Sequence, residues 1–443
     1  MIILWTDALI YILISVITIL FFSLRKKEYF VRPWKQVANS RTAMASLVFL
    51  VFFIIIGLLD SVHFKPSNAN SHDIISLLDY CVDPIRLHQE KSYSAPFSAY
   101  SFSKELIVTP DQANTWGYQR LQYAASHLTN VETEKTGDIL AKAMQGWALG
   151  AGLVIILFCG YHWLKKLRFF SCKSVNTVFA TLFLLASIST MLFELSTYYH
   201  VMGTDKVGED VFYQAIKSIR TGLVIGSLTT LIMLPLAIIF GILAGFFRGW
   251  VDDVIQYIYT TLNSIPGVLL IAALILMVQV YMANHQDQFT SLVTRADMRL
   301  LFLCLILGVT SWTGLCRMLR AETLKLREME YVQAAQALGV PRYQILYRHI
   351  LPNVMHIVLI SVVLDFSSLV LAEAVLSYVN IGVDPTTYSW GNMINGARLE
   401  MAREPVVWWS LAASFVFMFG LVLSANLFVD TVRDAFDPRR AQS

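Results

Sequence analysis

Charge is scarce in this sequence. Asp, Glu, Lys and Arg make up 15% of its 443 residues, against about 25% in an ordinary soluble domain. That shortage argues against a water-soluble globule, and a net charge of only +3 makes nucleic acid an unsuitable partner. Cysteine is scarce too. Cys81, Cys159, Cys172, Cys304 and Cys316 form no Cys-x-x-Cys pair. Only Cys81 falls in a long polar stretch, which excludes an internal disulfide framework; Cys159 and Cys304 read as apolar fillers. No Gly-x-x-x-x-Gly-Lys-[Ser/Thr] run is present to cradle nucleotide phosphates, and no His-Glu-x-x-His or Gly-x-Ser-x-Gly run supplies a zinc site or a nucleophile. No catalytic residue and no metal site is therefore expected. The pattern of a cleaved leader is also missing, because Arg25, Lys26 and Lys27 follow the first apolar run instead of preceding it.

What replaces charge is apolar length. Hydrophobic residues make up 56% of the chain, and the mean hydropathy is +0.57. A membrane-crossing helix needs about 20 apolar residues. Nine such runs are read at 4–23, 43–60, 143–162, 176–197, 218–246, 254–282, 299–317, 355–376 and 406–428. With nine spans, the basic clusters fall on one side. Arg25 to Arg41 lie between the first two spans, and Lys165, Lys166, Arg168 and Lys173 between the third and fourth. Arg248 follows the fifth span, Lys325 and Arg342 follow the seventh, and Arg433, Arg439 and Arg440 close the chain. The positive-inside rule makes that side the cytoplasm, with the N-terminus outside and the C-terminus inside. The class is an all-α polytopic membrane protein, and its first environment is membrane lipid.

Two loops stand out. The outer stretch 61–142 contains Pro66, Pro84, Pro96 and Pro110 among many polar residues, with weak helical character expected over Asp111–Lys142. The other loop, Arg320 to Asn353, is charged yet strongly helix-prone. Ala334, Ala335 and Ala337 allow close approach of another surface. Gly339 suits the left-handed residue that ends a helix, Pro341 suits the first turn of the next, and Pro352 is expected to end that second helix before the eighth span. The outcome is a helix, a tight turn and a helix on the cytoplasmic face, a shape suited to docking a partner. Before the fifth span, His200 to Asp205 reads as a turn. Thr204 or Asp205 is expected to cap a short helix over Lys206–Ile219. His200 is read as structural.

Inside the spans, Asp365 and Glu373 are the notable acids, because buried charge in lipid is costly and often functional. Glu373 lies near the outer end; Asp365 is deeper, lining a path or pairing with another span. Gly226, Gly241, Gly245 and Pro235 suit close packing with local bending, and ordinary packing and a gate hinge remain equally open. Pro266 removes a backbone donor and interrupts the sixth span beside the path.

The charged loop resembles the permease signature of ATP-binding-cassette importers, the EAA loop. By that resemblance Gln333, Ala334 and Ala335 take the three signature positions and Gly339 is the signature glycine, with Gln333 replacing an acid. Glu330, Tyr331, Pro341 and Pro352 belong to the same ATPase-coupling element. His200, Gly203, Thr204, Asp205, Gly208 and Asp210 resemble the outer-mouth motif of the second permease of dipeptide, oligopeptide and nickel importers, with Glu209 where that family usually has Arg. Ser389-Trp390-Gly391, Pro405, Asn426, Asp430 and Asp437-Pro438-Arg439 continue the likeness.

The resemblance implies a type I importer transmembrane fold with extra N-terminal helices. The expected divisions are an added span and linker at 1–38, a family-like first span at 39–66, an outer insertion at 67–142, an added hairpin at 143–197 and a core permease at 198–443, with its coupling loop at 320–353. It also implies a second homologous permease, two ATP-binding subunits that hold ATP and Mg, an external solute-binding protein and a bacterial inner-membrane location. No cofactor is expected on this chain. Gly241, Gly245, Pro266, Asp365 and Glu373 are its candidate pathway or gate residues. A gradient-driven secondary transporter and a non-transporting scaffold or sensor of the same fold are the alternatives. The former would call for internal repeats and ion-binding polar residues at mid-membrane, and no convincing repeat is seen.

Overall fold

The structure is a computed structural model that describes residues 4–24, 28–65, 74–107, 115–165, 174–285 and 291–436. Arg25, Lys26, Lys27, Pro66, Pro110, Lys166, Arg168, Cys172, Lys173 and the stretch 437–440 lie outside the described residues.

The chain begins with α1 (Trp5–Leu24), α2 (Glu28–Asn39) and α3 (Arg41–Asp60). Short elements follow: β1 (His63–Phe64), β2 (Ile75–Ser76), α4 (Leu77–Cys81), α5 (Asp83–Leu87), β3 (Tyr100–Ile107) and β4 (Thr115–Arg120). Long helices then dominate as α6 (Val131–Lys165), α7 (Val175–Tyr198), α8 (Val211–Phe247), α9 (Trp250–Ser264), α10 (Gly267–Asn284) and α11 (Leu292–Ser311). The last third holds α12 (Thr313–Arg327), α13 (Glu330–Ala337), α14 (Arg342–Ile345), a π-helical turn (Leu346–Ile350), α15 (Leu351–Tyr378), α16 (Trp390–Glu400) and α17 (Trp409–Phe436).

Among the described residues, seven helical runs are long and apolar enough to cross a membrane: Arg41–Asp60, Val131–His162, Val175–Tyr198, Val211–Phe247, Gly267–Asn284, Arg342–Tyr378 and Trp409–Ala435. The other two expected spans are helical as well. The first falls on α1, which is apolar over Trp5–Ile19. The other straddles α11 and α12, where Arg295, Asp297 and Arg299 occupy the first turns of α11.

The chain divides into two compact units. One comprises 1–2, 38–221 and 388–424; the other comprises 3–37, 222–387 and 425–443. In the first unit, α6 and α7 form a close hairpin. A methyl group at Gly150 would come within 2.3 Å of Thr190 Oγ1 and 2.7 Å of the α7 backbone, and the Thr190 hydroxyl donates to the Gly146 carbonyl at 2.8 Å. Small residues allow this approach where lipid provides no hydrophobic drive between helices.

The expectation of helix over Asp111–Lys142 holds only from Val131, where α6 begins. Residues 115–120 form strand β4, paired antiparallel with β3 so that Leu106 faces Trp116 and Lys104 faces Tyr118. Trp116, Tyr118 and Arg120 alternate with period two, which suits a pleated ribbon, and helix begins only at Val131. The expected separate helix over Lys206–Ile219 is also absent. Helix α8 starts at Val211 and runs unbroken to Phe247, through Pro235. Its cap is neither Thr204 nor Asp205. Asp210 Oδ1 accepts from the N–H groups of Phe212 and Tyr213 at 2.8 and 3.2 Å, so the carboxylate nearest the first free N–H groups takes the role.

In the second unit, Asp297 of α11 caps the first turn of α1 from across a helix contact. Its Oδ2 accepts from Trp5 N–H at 2.9 Å and Thr6 N–H at 3.4 Å, and the Thr6 hydroxyl donates to Oδ1. The sixth expected span is fully broken. Helix α9 ends at Ser264, and Pro266 stands just before α10.

Pro352 does not end a helix. Arg342–Tyr378 is one helical run, with the π-helical turn immediately before the proline. The Leu351 N–H donates to the Leu346 carbonyl, a five-residue step. This shifts the bonding register where Pro352 lacks a donor, and the wider turn leaves room for its ring.

Replacing Gly150 by Val should lower the thermal unfolding midpoint of the purified chain. Overpacking at a tight contact costs about 1–3 kcal/mol. A melting curve identical to that of the native chain would mean that α6 and α7 do not approach this closely.

Candidate functional site

Helices α12, α13 and α14 make a continuous polar-faced surface in the second unit. Its foundation is a two-point ion pair. Arg320 donates from Nε and an NH2 nitrogen to the two oxygens of Asp252, at 2.6 and 2.7 Å. These bonds from Arg320 hold the Asp252 carboxyl below the usual carboxylate range, against the opposing effect of burial. Arg327 donates to the Phe246 carbonyl at 2.8 Å, and Arg248 pairs with Glu328 at 2.5 Å. Both Arg248 and Gly249 have positive φ at the α8–α9 turn, 54° and 60°. Gly241 and Gly245 seat α12 on α8, since a methyl group there would fall 2.8 Å from Leu319 Cβ and 2.6 Å from Thr323 Cβ. Both candidate gate glycines thus lie at helix contacts.

Helix α13 turns one face inward. Val332 and Ala335 are buried three residues apart, as helical spacing dictates. Gln333, Ala334, Gln336 and Ala337 are exposed. The signature is therefore split: Gln333 and Ala334 face outward, and Ala335 supports the element from within. The helix ends as the sequence predicts. Gly339 has φ +74°; its N–H donates to the Gln336 carbonyl, and the Val340 N–H reaches the Ala335 carbonyl at 3.1 Å. This double bond pattern closes the free carbonyls of a helix end, and a glycine adopts it without a Cβ penalty. Pro341 is extended and stands immediately before α14.

Tyr331 accepts a hydrogen bond from Asn353 Nδ2 at 3.2 Å, which ties α13 to the start of α15. Glu330 is exposed. Around this turn Leu338, Tyr343 and Tyr347 are 83%, 75% and 76% exposed. The sequence reading missed these three residues; large apolar side chains in a charged, helix-prone loop were the available signal.

The motif from His200 to Asp210 forms a second cluster, in the first unit. His200 is buried. Its Nδ1 lies 2.7 Å from Asp210 Oδ2, and its Nε2 lies 3.7 Å from Glu90 Oε1. Burial disfavours the imidazolium, but Asp210 and Glu90 more than offset it and raise the pKa to about 9. Burial likewise opposes a charged Glu90. His200 and the N–H groups of Gln122, Tyr123 and Ala124 overcome that and lower its pKa to about 2. Gly203 and Gly208 have φ of 69° and 78°. They lie under the backbone of residues 90–94, where a methyl group at Gly208 would collide with the Glu90 carbonyl at 1.8 Å. The Thr204 hydroxyl donates to the Ser92 carbonyl at 2.8 Å and accepts from Ser94 N–H at 2.6 Å. Asp205 accepts from Gln214 Nε2 at 2.9 Å.

In this chain the motif is therefore occupied by its own residues 90–97. Glu90 was not legible, since nothing in its spacing links it to His200. Glu209, where the resemblance leads to Arg, accepts from the Tyr388 hydroxyl at 2.5 Å and from Gln214 at 2.9 Å. Burial pushes its carboxyl above the usual range, and these donors counter the push.

The remaining candidates are dispersed. Glu373 is buried and accepts from the Ser377 hydroxyl, one turn further along the same helix, at 2.7 Å. Asp365 is half-buried on α15, and among the described residues its carboxylate has no hydrogen-bond or ion-pair partner. Pro266 stands at the α9–α10 break. Among the described residues no group of three His, Cys, Asp or Glu side chains is arranged to hold a metal ion.

Comparison with known proteins bears on these two clusters. Residues 237–442 match the family described as binding-protein-dependent transport system inner membrane component. The chain is 30% identical to the oligopeptide transport system permease protein of Haemophilus influenzae over 242 residues, 54% of this chain and 71% of that protein. The chain belongs to this family. It is also 30% identical to the dipeptide transport system permease protein of Lactococcus lactis over 243 residues, covering 55% of this chain and 65% of that protein, just under two thirds of its length. The glutathione transport system permease protein of Pectobacterium atrosepticum is 29% identical over 242 residues, 54% of this chain and 73% of its own. The α12–α13–α14 surface lies within the matched region, and the Glu90 contact lies outside it.

His200 contributes stability that is fully present below its ordinary pKa of 6.5 and is lost as pH rises through about 9. Glu90 contributes above its ordinary 4.5, and that contribution is lost as pH falls toward about 2. Hydrogen exchange of residues 90–97, corrected for intrinsic rates, should therefore accelerate as pH passes 9, and His200→Ala should abolish the pH step. Breaking a buried ion pair of this kind costs about 3–5 kcal/mol. Protection that stays flat from pH 7 to 10 in the native chain would remove His200 as the clamp.

Proposed function

We propose that this chain is one of two permease subunits of an ATP-driven importer for di- or oligopeptides. It sits in the bacterial inner membrane with its N-terminus outside and its C-terminus in the cytoplasm. The observation that carries the reading is the α12–α13–α14 surface. An outward Ala334, a closed Gly339 turn and an exposed Leu338–Tyr343–Tyr347 patch stand on a foundation fixed by Asp252 and Arg320. A rigid knob of this kind transmits displacement instead of absorbing it, because packed helices move as bodies. Two cytoplasmic ATP-binding subunits receive the knob, hold ATP and Mg, and drive the helices between inward-open and outward-open arrangements. An external solute-binding protein delivers the cargo, and a second homologous permease completes the path. Peptide as cargo is supported by the relatives, which are named for dipeptide, oligopeptide and glutathione transport.

Residues 320–353 serve as the coupling element, with Gln333 and Ala334 at the contact and Ala335, Gly339, Pro341 and Pro352 shaping it. Asp365 faces the second permease or the path, where a polar partner or water meets the carboxylate; a charge left against lipid would be costly.

The test is peptide-stimulated ATP hydrolysis by the reconstituted complex. Ala334→Trp, which adds bulk at the outward position without entering the core, should reduce stimulation at least tenfold while the permease pair still assembles. Full stimulation in that variant would sink the coupling assignment. A native complex that hydrolyses ATP on addition of Ni²⁺ but not peptide would overturn the cargo and leave the coupling surface in place.

A further inference from the structure

The first unit contains a cavity of about 390 Å³ that the transport reading does not use. It lies between residues 92–103 of the inserted region and residues 400–407, which lead into α17, with Lys206 at its edge. This volume falls within the range of small-ligand sites. Its apolar side is aromatic: Phe102 packs edge-on against Trp409 with ring centroids 4.9 Å apart, and Tyr93 lies under the Arg403 guanidinium at 5.1 Å.

The charges in the wall differ in what they are committed to. Arg403 is engaged with Glu400 at 3.1 Å, and Glu400 also bonds the Tyr93 hydroxyl. Lys206 and Glu404 are exposed and line the same cavity, yet neither has an ion-pair partner among the described residues. One uncommitted cation and one uncommitted carboxylate beside an aromatic wall form a recognition set for a ligand carrying both charges.

We propose that this cavity is a binding site for a short zwitterionic peptide, with Lys206 receiving its carboxylate, Glu404 its ammonium group, and Tyr93 and Phe102 its side chains. The site is lined by residues 92–103, Lys206 and residues 400–407 and shares no residue with the coupling element, so its failure would leave the transport reading untouched.

The test is direct binding by calorimetry, with the full chain in lipid nanodiscs, no solute-binding protein present, and the probes Ala-Phe, N-acetyl-Ala-Phe and Ala-Phe-amide. Ala-Phe should bind saturably. Either blocked form should bind at least tenfold more weakly. Lys206→Gln should remove the preference for the free carboxylate, and Glu404→Gln the preference for the free ammonium; both side chains are exposed, so neither change threatens folding. Absence of saturable Ala-Phe binding to the native chain would overturn the proposal. So would equal binding of all three probes, or binding unchanged in both variants.

Discussion

A bilayer interior offers no partner to a backbone N–H or carbonyl. The helices of this chain are organised by that constraint, and the places where they break show how it is met. Between α9 and α10 the helix is interrupted, and the Ile265 N–H is recovered by the Leu262 carbonyl. Ahead of Pro352 the ladder widens into a π-helical turn and continues. At Gly339 the free carbonyls are closed by two local bonds. At the start of α1 a carboxylate from α11 takes the first donors. Each repair uses a different device, and in each a backbone group left over by the helix ladder finds a partner.

The same constraint explains why the candidate coupling surface is stiff. Helix α12 continues α11 with no long linker, and Asp252, Arg320 and the glycine contacts of α8 fix its place. The exposed pair Arg248–Glu328 adds little by itself, because half-exposed ion pairs contribute about 0–1 kcal/mol. The two-point Arg320 pair differs, since its planar fork fixes orientation as well as distance. A knob intended to transmit motion needs that kind of fixation more than it needs added stability.

Much of this was legible in the sequence. Apolar length found the helices, and Gly339 with Pro341 gave the turn because their backbone preferences are local. What could not be read depends on contacts distant in sequence. Pro352 was taken as a terminator, since its propensity is strongly against helix, and only a register shift upstream makes it acceptable. Trp116 and Tyr118 were read as weak helix because the strand they pair with, β3, is a separate segment of the chain. Glu90 has no local signal at all: its role exists only because residues 90–94 pass over Gly203 and Gly208. Ala335 was grouped with the contact residues by its place in the signature, yet one step of about 100° around the helix separates inward Ala335 from outward Ala334.

The outer cluster carries the remaining argument. Two glycines with left-handed backbone, a buried imidazole and a threonine hydroxyl are all engaged by residues 90–94. Such a set of donors and close-approach positions is costly to leave open, since a buried cation without its carboxylates would be strongly disfavoured. Glu90 therefore does more than decorate the motif. It supplies the second negative group that keeps His200 charged while its other oxygen fixes the turn at Gln122. Residues 90–97 are thereby integral to the first unit: their departure would leave His200 with Asp210 alone and uncover the backbone at Gly208. The carboxylate that holds the imidazole, Asp210, also caps the first turn of α8, so the packing of residues 90–97 and the start of that helix depend on one side chain.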